Sequence, residues 1–201
     1  TYSGLISFII SIASIFTGLI FTLIVTRQLS QDEFGTWSLI GVLISYVLII
    51  SPITTMWVTR EIARGTNSGR TAIISSGLFS LLGITSYVVL ILIMSLNVNI
   101  DLSVILISVI LIPTYFFRNV LSAIGYGYKP QWVEYNLLIF ELAKIPLGFG
   151  LVYVLDLGLI GAILTIFGAT IASLSYLFFK LKGKLIEEFS FSKLKKWLKL
   201  F

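Results

Sequence analysis

Three charges interrupt a long apolar stretch in the second half of the chain: Glu134, Glu141 and Lys144. On a helical period of about 3.6 residues they fall on one face. Lys144 and Glu141 are close enough along that face to neutralise each other in part. Two readings of the pair stay open. It is a buried structural ion pair, or it is the polar wall of a central cavity. In the second case Glu141 is available to bind a cation or a proton, and Glu134 extends the same stripe by two turns. A Lys or Arg at the centre of a membrane span costs about 2.5–3.5 kcal/mol on insertion scales, so Lys144 is expected to face protein or water. Arg118 interrupts another apolar run and either faces the interior or snorkels to the headgroups. Arg27 and Arg60 close their own runs and can do the same, while Arg64 and Lys129 lie in short polar connections.

The residue types that are missing narrow the chemistry. The chain has no Cys and no His. Thiol nucleophiles, structural zinc sites and imidazole acid–base catalysis are therefore excluded together. No Gly-rich loop ending in Lys and Ser or Thr occurs, so nucleotide hydrolysis by that route is excluded too. No cofactor is expected. A membrane enzyme acting on polyprenyl phosphates would present paired acids or a metal site in its polar loops. The loops here offer Glu61 between two spans, and Glu187 with Glu188 in the tail, so an enzyme is not expected.

The elements that carry these charges are membrane spans. Of the 201 residues, 57% are hydrophobic and 11% are charged, against roughly 25% charged in a soluble domain. The mean hydropathy is +1.03. Several uncharged runs exceed the roughly 18–20 residues that cross a bilayer as a helix. Helices are required because lipid cannot satisfy open backbone groups, and a lipid-facing barrel would alternate in polarity. The fold class is thus an all-α integral membrane bundle with spans at residues 4–25, 34–58, 71–94, 102–124, 131–155 and 158–179. Ser30 is placed to cap the second span, with Asp32 and Glu33 in its first turn. Pro52 lies inside that span and is expected to kink it. A short loop is expected at residues 95–101, and a turn at residues 125–130. Ser3, Ser7, Ser11, Ser14, Gly18 and Thr22 form a small-residue stripe on the first span, read as a helix seam or a cavity wall. Gly161, Thr165, Ala169 and Ser173 form a second such stripe on the sixth.

The tail at residues 180–201 differs in kind. Phe191, Leu194, Trp197, Leu198 and Phe201 recur at helical spacing, with Lys193, Lys195, Lys196 and Lys199 opposite. That pattern predicts a basic amphipathic helix on an anionic leaflet, or the first turns of another domain. Seven of the 14 Lys and Arg residues lie from Lys180 onward. This is a membrane-surface signature, so the expected partners are membrane lipids and not nucleic acid. Arg60, Arg64, Arg70, Lys129 and the tail lysines share one side, with Arg118 near it, and Arg27 alone takes the other. The bias predicts both termini in the cytoplasm.

Three short motifs carry a family resemblance. Thr26-Arg27 with Leu29-Ser30, Asp32-Glu33 and Phe34-Gly35 ends the first span and begins the second. Thr59-Arg60-Glu61-Ile62-Ala63 ends the second, and Leu157-Gly158-Leu159-Ile160-Gly161-Ala162 opens the sixth. Together they resemble the N-terminal six-helix half of the polysaccharide flippases in the multidrug/oligosaccharidyl-lipid/polysaccharide exporter superfamily. The resemblance covers nearly the whole chain but about half of a family member. It implies two six-helix lobes that rock against each other in the plasma membrane, with residues 180–201 as the linking surface helix. It implies a lipid-linked oligosaccharide as substrate, its diphosphate held by Arg27, Arg60, Arg64, Arg118, Lys129 and Lys144. Guanidinium suits that task because its planar fork gives bidentate bonds to phosphate. Glu141 and Glu134 are then the ion-coupling candidates, although relatives place the cation site mainly in the other lobe. The second lobe is a further partner, supplied by the same polypeptide if this is a piece of a longer chain, and otherwise by a dimer. A start at Thr1 and an end inside a basic helix are expected of such a piece. Two other readings remain: a cation-coupled exporter of small amphiphiles from the same superfamily, and a non-transporting membrane scaffold.

Overall fold

A computed structural model describes residues 2–95 and 102–200. The described residues are predominantly helical, without a strand, and six helical segments are long and apolar enough to cross a membrane. The protein is an all-α, multi-pass membrane bundle. Of the expected features, residues 96–101 of the loop, the Ser3 side chain and Phe201 lie outside the described residues.

Helix α1 (Tyr2–Gln28) is followed by a tight connection and α2 (Gln31–Val47). Ser30 caps α2 as its sequence predicts. Its hydroxyl accepts from the Glu33 N–H at 3.3 Å, and its own N–H donates to Glu33 Oε2 at 2.9 Å. This reciprocal box satisfies two orphan donors at the helix start. The other Glu33 oxygen accepts from the Leu159 N–H at 3.4 Å, tying this connection to the start of α8 (Gly158–Leu181). Gly158 has φ +51°, and a Cβ there would stand 2.6 Å from Glu33 Oε1. Only glycine suits both the left-handed backbone and that approach.

Two expected spans are broken rather than continuous. Residues 34–58 do not form one kinked helix: α2 begins earlier, at Gln31, and passes through a 3₁₀ turn at Leu48–Ile50. Pro52 then starts α3 (Pro52–Ala63). Proline lacks an N–H and clashes with the preceding turn, so it favours a helix start. Residues 102–124 likewise divide into α5 (Leu102–Ser108) and α6 (Leu111–Tyr128), with Pro113 in the first turn of α6. The expected turn at residues 125–130 is mostly helix. Gly127 stays helical because it lets α3 approach: a Cβ there would lie 2.8 Å from Ile62 Cβ and 3.2 Å from the Thr59 carbonyl oxygen. The chain turns instead at Lys129, and Pro130 opens α7 (Pro130–Gly148), which runs on as a π-helical segment at Phe149–Val154.

Packing follows the small-residue pattern on α8 but not on α1. Gly161, Thr165, Ala169 and Ser173 are all buried, and Gly161 lies under the Leu151 carbonyl. On α1, Ser11 and Thr22 are exposed, and a Cβ added at Gly4 or Gly18 would meet no atom within 4 Å. That helix instead packs on α7 and α8 through buried Phe21 and Val25. The outer surface is apolar, with Phe16, Leu81 and Leu142 more than half exposed, as a lipid-facing surface requires.

The tail departs most from expectation. Helix α9 (Phe191–Leu200) does not offer its whole apolar side to a leaflet. Leu194 and Trp197 are buried on the bundle end, beside Ile62, Ala72 and Leu181. The Trp197 indole N–H donates to Glu61 Oε1 at 3.0 Å. The Ser190 N–H donates to Thr71 Oγ1 at 3.1 Å, and Lys193 Nζ donates to the Asn67 carbonyl. Phe191 and Leu198 remain exposed. A buried indole that also bonds an acid is a docking anchor. Trp197→Ala is therefore expected to weaken docking by about 3 kcal/mol, from lost burial and a cavity. Limited proteolysis would then cut residues 185–190 faster, with the helical content of the spans unchanged. Cleavage at the wild-type rate would show that Trp197 does not hold the tail.

Candidate functional site

The buried charges meet between α1 and α7. Lys144 Nζ lies 2.6 Å from Glu141 Oε2, one helical turn away, and each side chain is 8% exposed. From α1, the Thr17 hydroxyl donates to the same carboxylate oxygen. Two rings shield the ammonium: its Nζ is 5.2 Å from the Phe140 centroid and 5.7 Å from that of Phe21. The Arg118 guanidinium sits over Phe140 at 4.3 Å. Phe140 thus contacts two cations, and the negative face of an aromatic ring stabilises such charges. Of the two readings, the geometry is that of an enclosed ion pair. Glu141 Oε2 already holds both Lys144 and Thr17.

An open cleft of mixed polarity lies elsewhere, between α3 and α6. Its volume is about 620 Å³. Ser51, Thr55 and Thr59 line one side at successive turns, with Arg60 next to Thr59 and the apolar Leu48, Pro52 and Met56 on the same wall. Asn119, Ser122 and Tyr126 line the other. Asn119 Nδ2 donates to Ser51 Oγ at 3.1 Å, and Thr59 Oγ1 donates to the Ala123 carbonyl at 2.9 Å, so the walls are stitched at both ends. Arg60 also stacks on Trp57, 5.5 Å from its ring. Hydroxyls, an amide and a guanidinium facing one cleft can bond a polyhydroxylated or phosphorylated head. The neutral members were missed in the sequence. A Ser or Asn inside a span gives no charge signal, although the steps Ser51–Thr55–Thr59 and Asn119–Ser122–Tyr126 place each set on one helix face.

The expected substrate cations are therefore not gathered at one point. Arg118 and Lys144 share Phe140, and Arg60 lines the cleft. Arg64 is exposed past the end of α3, at a shallow pocket with Glu61, Lys193 and Lys196. Lys129 is exposed, over the Trp132 ring. Arg27 is exposed at the opposite end of the bundle, where α1 meets Phe149 and Tyr153. Glu134 is half-buried and has no ion-pair partner among the described residues.

No family model, no curated protein and no solved structure matches the chain.

The ion pair makes a direct prediction. Lys144→Ala leaves a buried carboxylate without its ammonium, which is expected to cost about 3–5 kcal/mol. Adding Glu141→Ala should restore most of that loss. Thermal unfolding in detergent, followed by loss of helical signal, reads both. A Lys144→Ala protein as stable as wild type would contradict the enclosed pair.

Proposed function

We propose that this chain is one lobe of a membrane flippase that carries a lipid-linked oligosaccharide across the cytoplasmic membrane. The observation that carries the reading is the open cleft between α3 and α6, where hydroxyls, Asn119 and Arg60 share the wall with apolar side chains, in a bundle whose outer surface is apolar. An amphiphile with a sugar–diphosphate head needs such a division. Its head passes through the polar interior while its tail stays in the bilayer. Arg60 meets the diphosphate through its planar fork, and Asn119, Ser51, Thr55 and Ser122 exchange hydrogen bonds with sugar hydroxyls. Arg118, held over Phe140 and free of a carboxylate at bonding distance among the described residues, is a second anion contact further into the bundle.

Orientation follows from charge. Arg60, Arg64, Arg70, Lys129 and the tail lysines gather at one end of the bundle, and the positive-inside rule sets that end in the cytoplasm. The cleft would then load from the cytoplasmic side, and a second lobe, in the same polypeptide or in a partner chain, would close the pathway and rock against this one. No bond is made or broken in such a cycle.

A second reading, cation-coupled export of small amphiphiles, has Glu134 as its acid, because Glu141 is already engaged by Lys144. Transport in cells that lack their own flippase separates the two. The full-length protein is expected to move a lipid-linked glycan to the outer face. Arg60→Gln should lower that rate about tenfold or more, the loss of one charge-assisted contact, at unchanged abundance in the membrane. A well-expressed protein that moves no lipid-linked glycan would contradict the proposal.

A further inference from the structure

At the end of the bundle away from α9, a second groove runs between α1 and the π-helical end of α7. Its volume is about 310 Å³. Ile20, Leu23, Ile24 and Phe149 form its apolar floor, and Arg27, Gln28 and Tyr153 form its rim. Their order along the helices explains the division. The rim residues are the last of their spans, and the floor residues lie one to two turns deeper. The π-helical segment supplies one wall of the groove. Phe149 and Tyr153 stack with centroids 5.1 Å apart, and both project outward, about half exposed. They build a wall parallel to α1. Extra-residue turns of this kind interrupt helices often at functional positions.

Arg27 has no carboxylate partner among the described residues. The acids of this end do not line the groove: Glu33 is bound by Ser30 and the Leu159 N–H, and Asp32 and Asp156 lie outside it. An unpaired guanidinium at the end of a span, above an apolar groove, matches one class of molecule. It is complementary in charge to a phosphate and in polarity to an acyl chain.

We infer that this groove is a glycerophospholipid site, with one acyl chain along α1 against Phe149 and the phosphate on Arg27 and Gln28. The site needs only a membrane around the bundle, so it stands apart from the transported substrate. The bound lipid covers the seam between α1 and α7, next to the Val25 and Phe21 contacts that hold α1 in place.

Native mass spectrometry of the full chain tests this. The protein is exchanged into detergent containing equal amounts of phosphatidylglycerol and of neutral diacylglycerol with the same acyl chains. The wild type is expected to retain one phosphatidylglycerol per chain in preference to diacylglycerol. Arg27→Gln should reduce that preference about tenfold, as expected for one charge-assisted contact. Leu23→Trp, at an exposed position that adds bulk to the groove without entering the core, should expel both lipids while helical content and thermal stability in detergent show an intact fold. Equal retention of the two lipids by the wild type would overturn the site. So would phosphatidylglycerol retention in both variants equal to that of the wild type.

Discussion

Hydrocarbon offers no hydrogen-bond partner, so every polar group inside this bundle must find one in the protein or reach water. That constraint organises the structure more than any single packing contact. Most interior hydroxyls meet it locally. Thr165 and Thr170 on α8, and Ser75 on α4 (Gly69–Ser95), each donate to the carbonyl one turn back, at 2.7–2.8 Å. Tyr87 and Ser108 bond each other at 2.6 Å, joining α4 to α5. The exceptions are few. Among the described residues, Asn136 Oδ1 and one Glu61 oxygen are buried without a partner.

Charges cannot be settled so locally, and the protein treats them in two ways. Lys144 and Glu141 close on each other, on Thr17 and on two rings, and so bring α1 against α7. Separation of the pair would leave a bare charge in a low-dielectric interior, which makes α1 and α7 a unit. Arg60 is treated in the opposite way. It stays at the wall of an open cleft where hydroxyls and an amide alternate with Leu48, Pro52, Met56 and Ala123, which suits an amphiphilic head. The functional reading rests on this contrast between a closed polar site and an open one.

Much of this was legible in the sequence. Long uncharged runs gave the number of spans, the Ser30 and Glu33 spacing gave the cap, and the Gly161 stripe gave the α8 seam. The breaks at Pro52 and Pro113 were harder to see, because apolar residues continue through both and hydropathy does not register a lost N–H. Gly127 misled because glycine serves close approach as well as turning, and only the position of Ile62 distinguishes them. The α9 pattern was ambiguous in principle. An apolar helix face reads the same whether it meets a leaflet or a protein, and the partners of Trp197 lie far away in the chain. The cleft was invisible for a related reason: its two walls are more than sixty residues apart, and neutral polar residues do not stand out in a span.

The central claim is that the α3/α6 cleft holds water while the surrounding surface meets lipid. The chain has no native cysteine, so single cysteines can be scanned without background. In membrane vesicles, a membrane-impermeant maleimide applied from the side of the Arg60 end should label Thr55→Cys and Ser122→Cys. It should spare Leu142→Cys until detergent and denaturant are added. Labelling of the two cleft positions no faster than that of Leu142→Cys would contradict a water-filled cleft, and with it this account of how the bundle works.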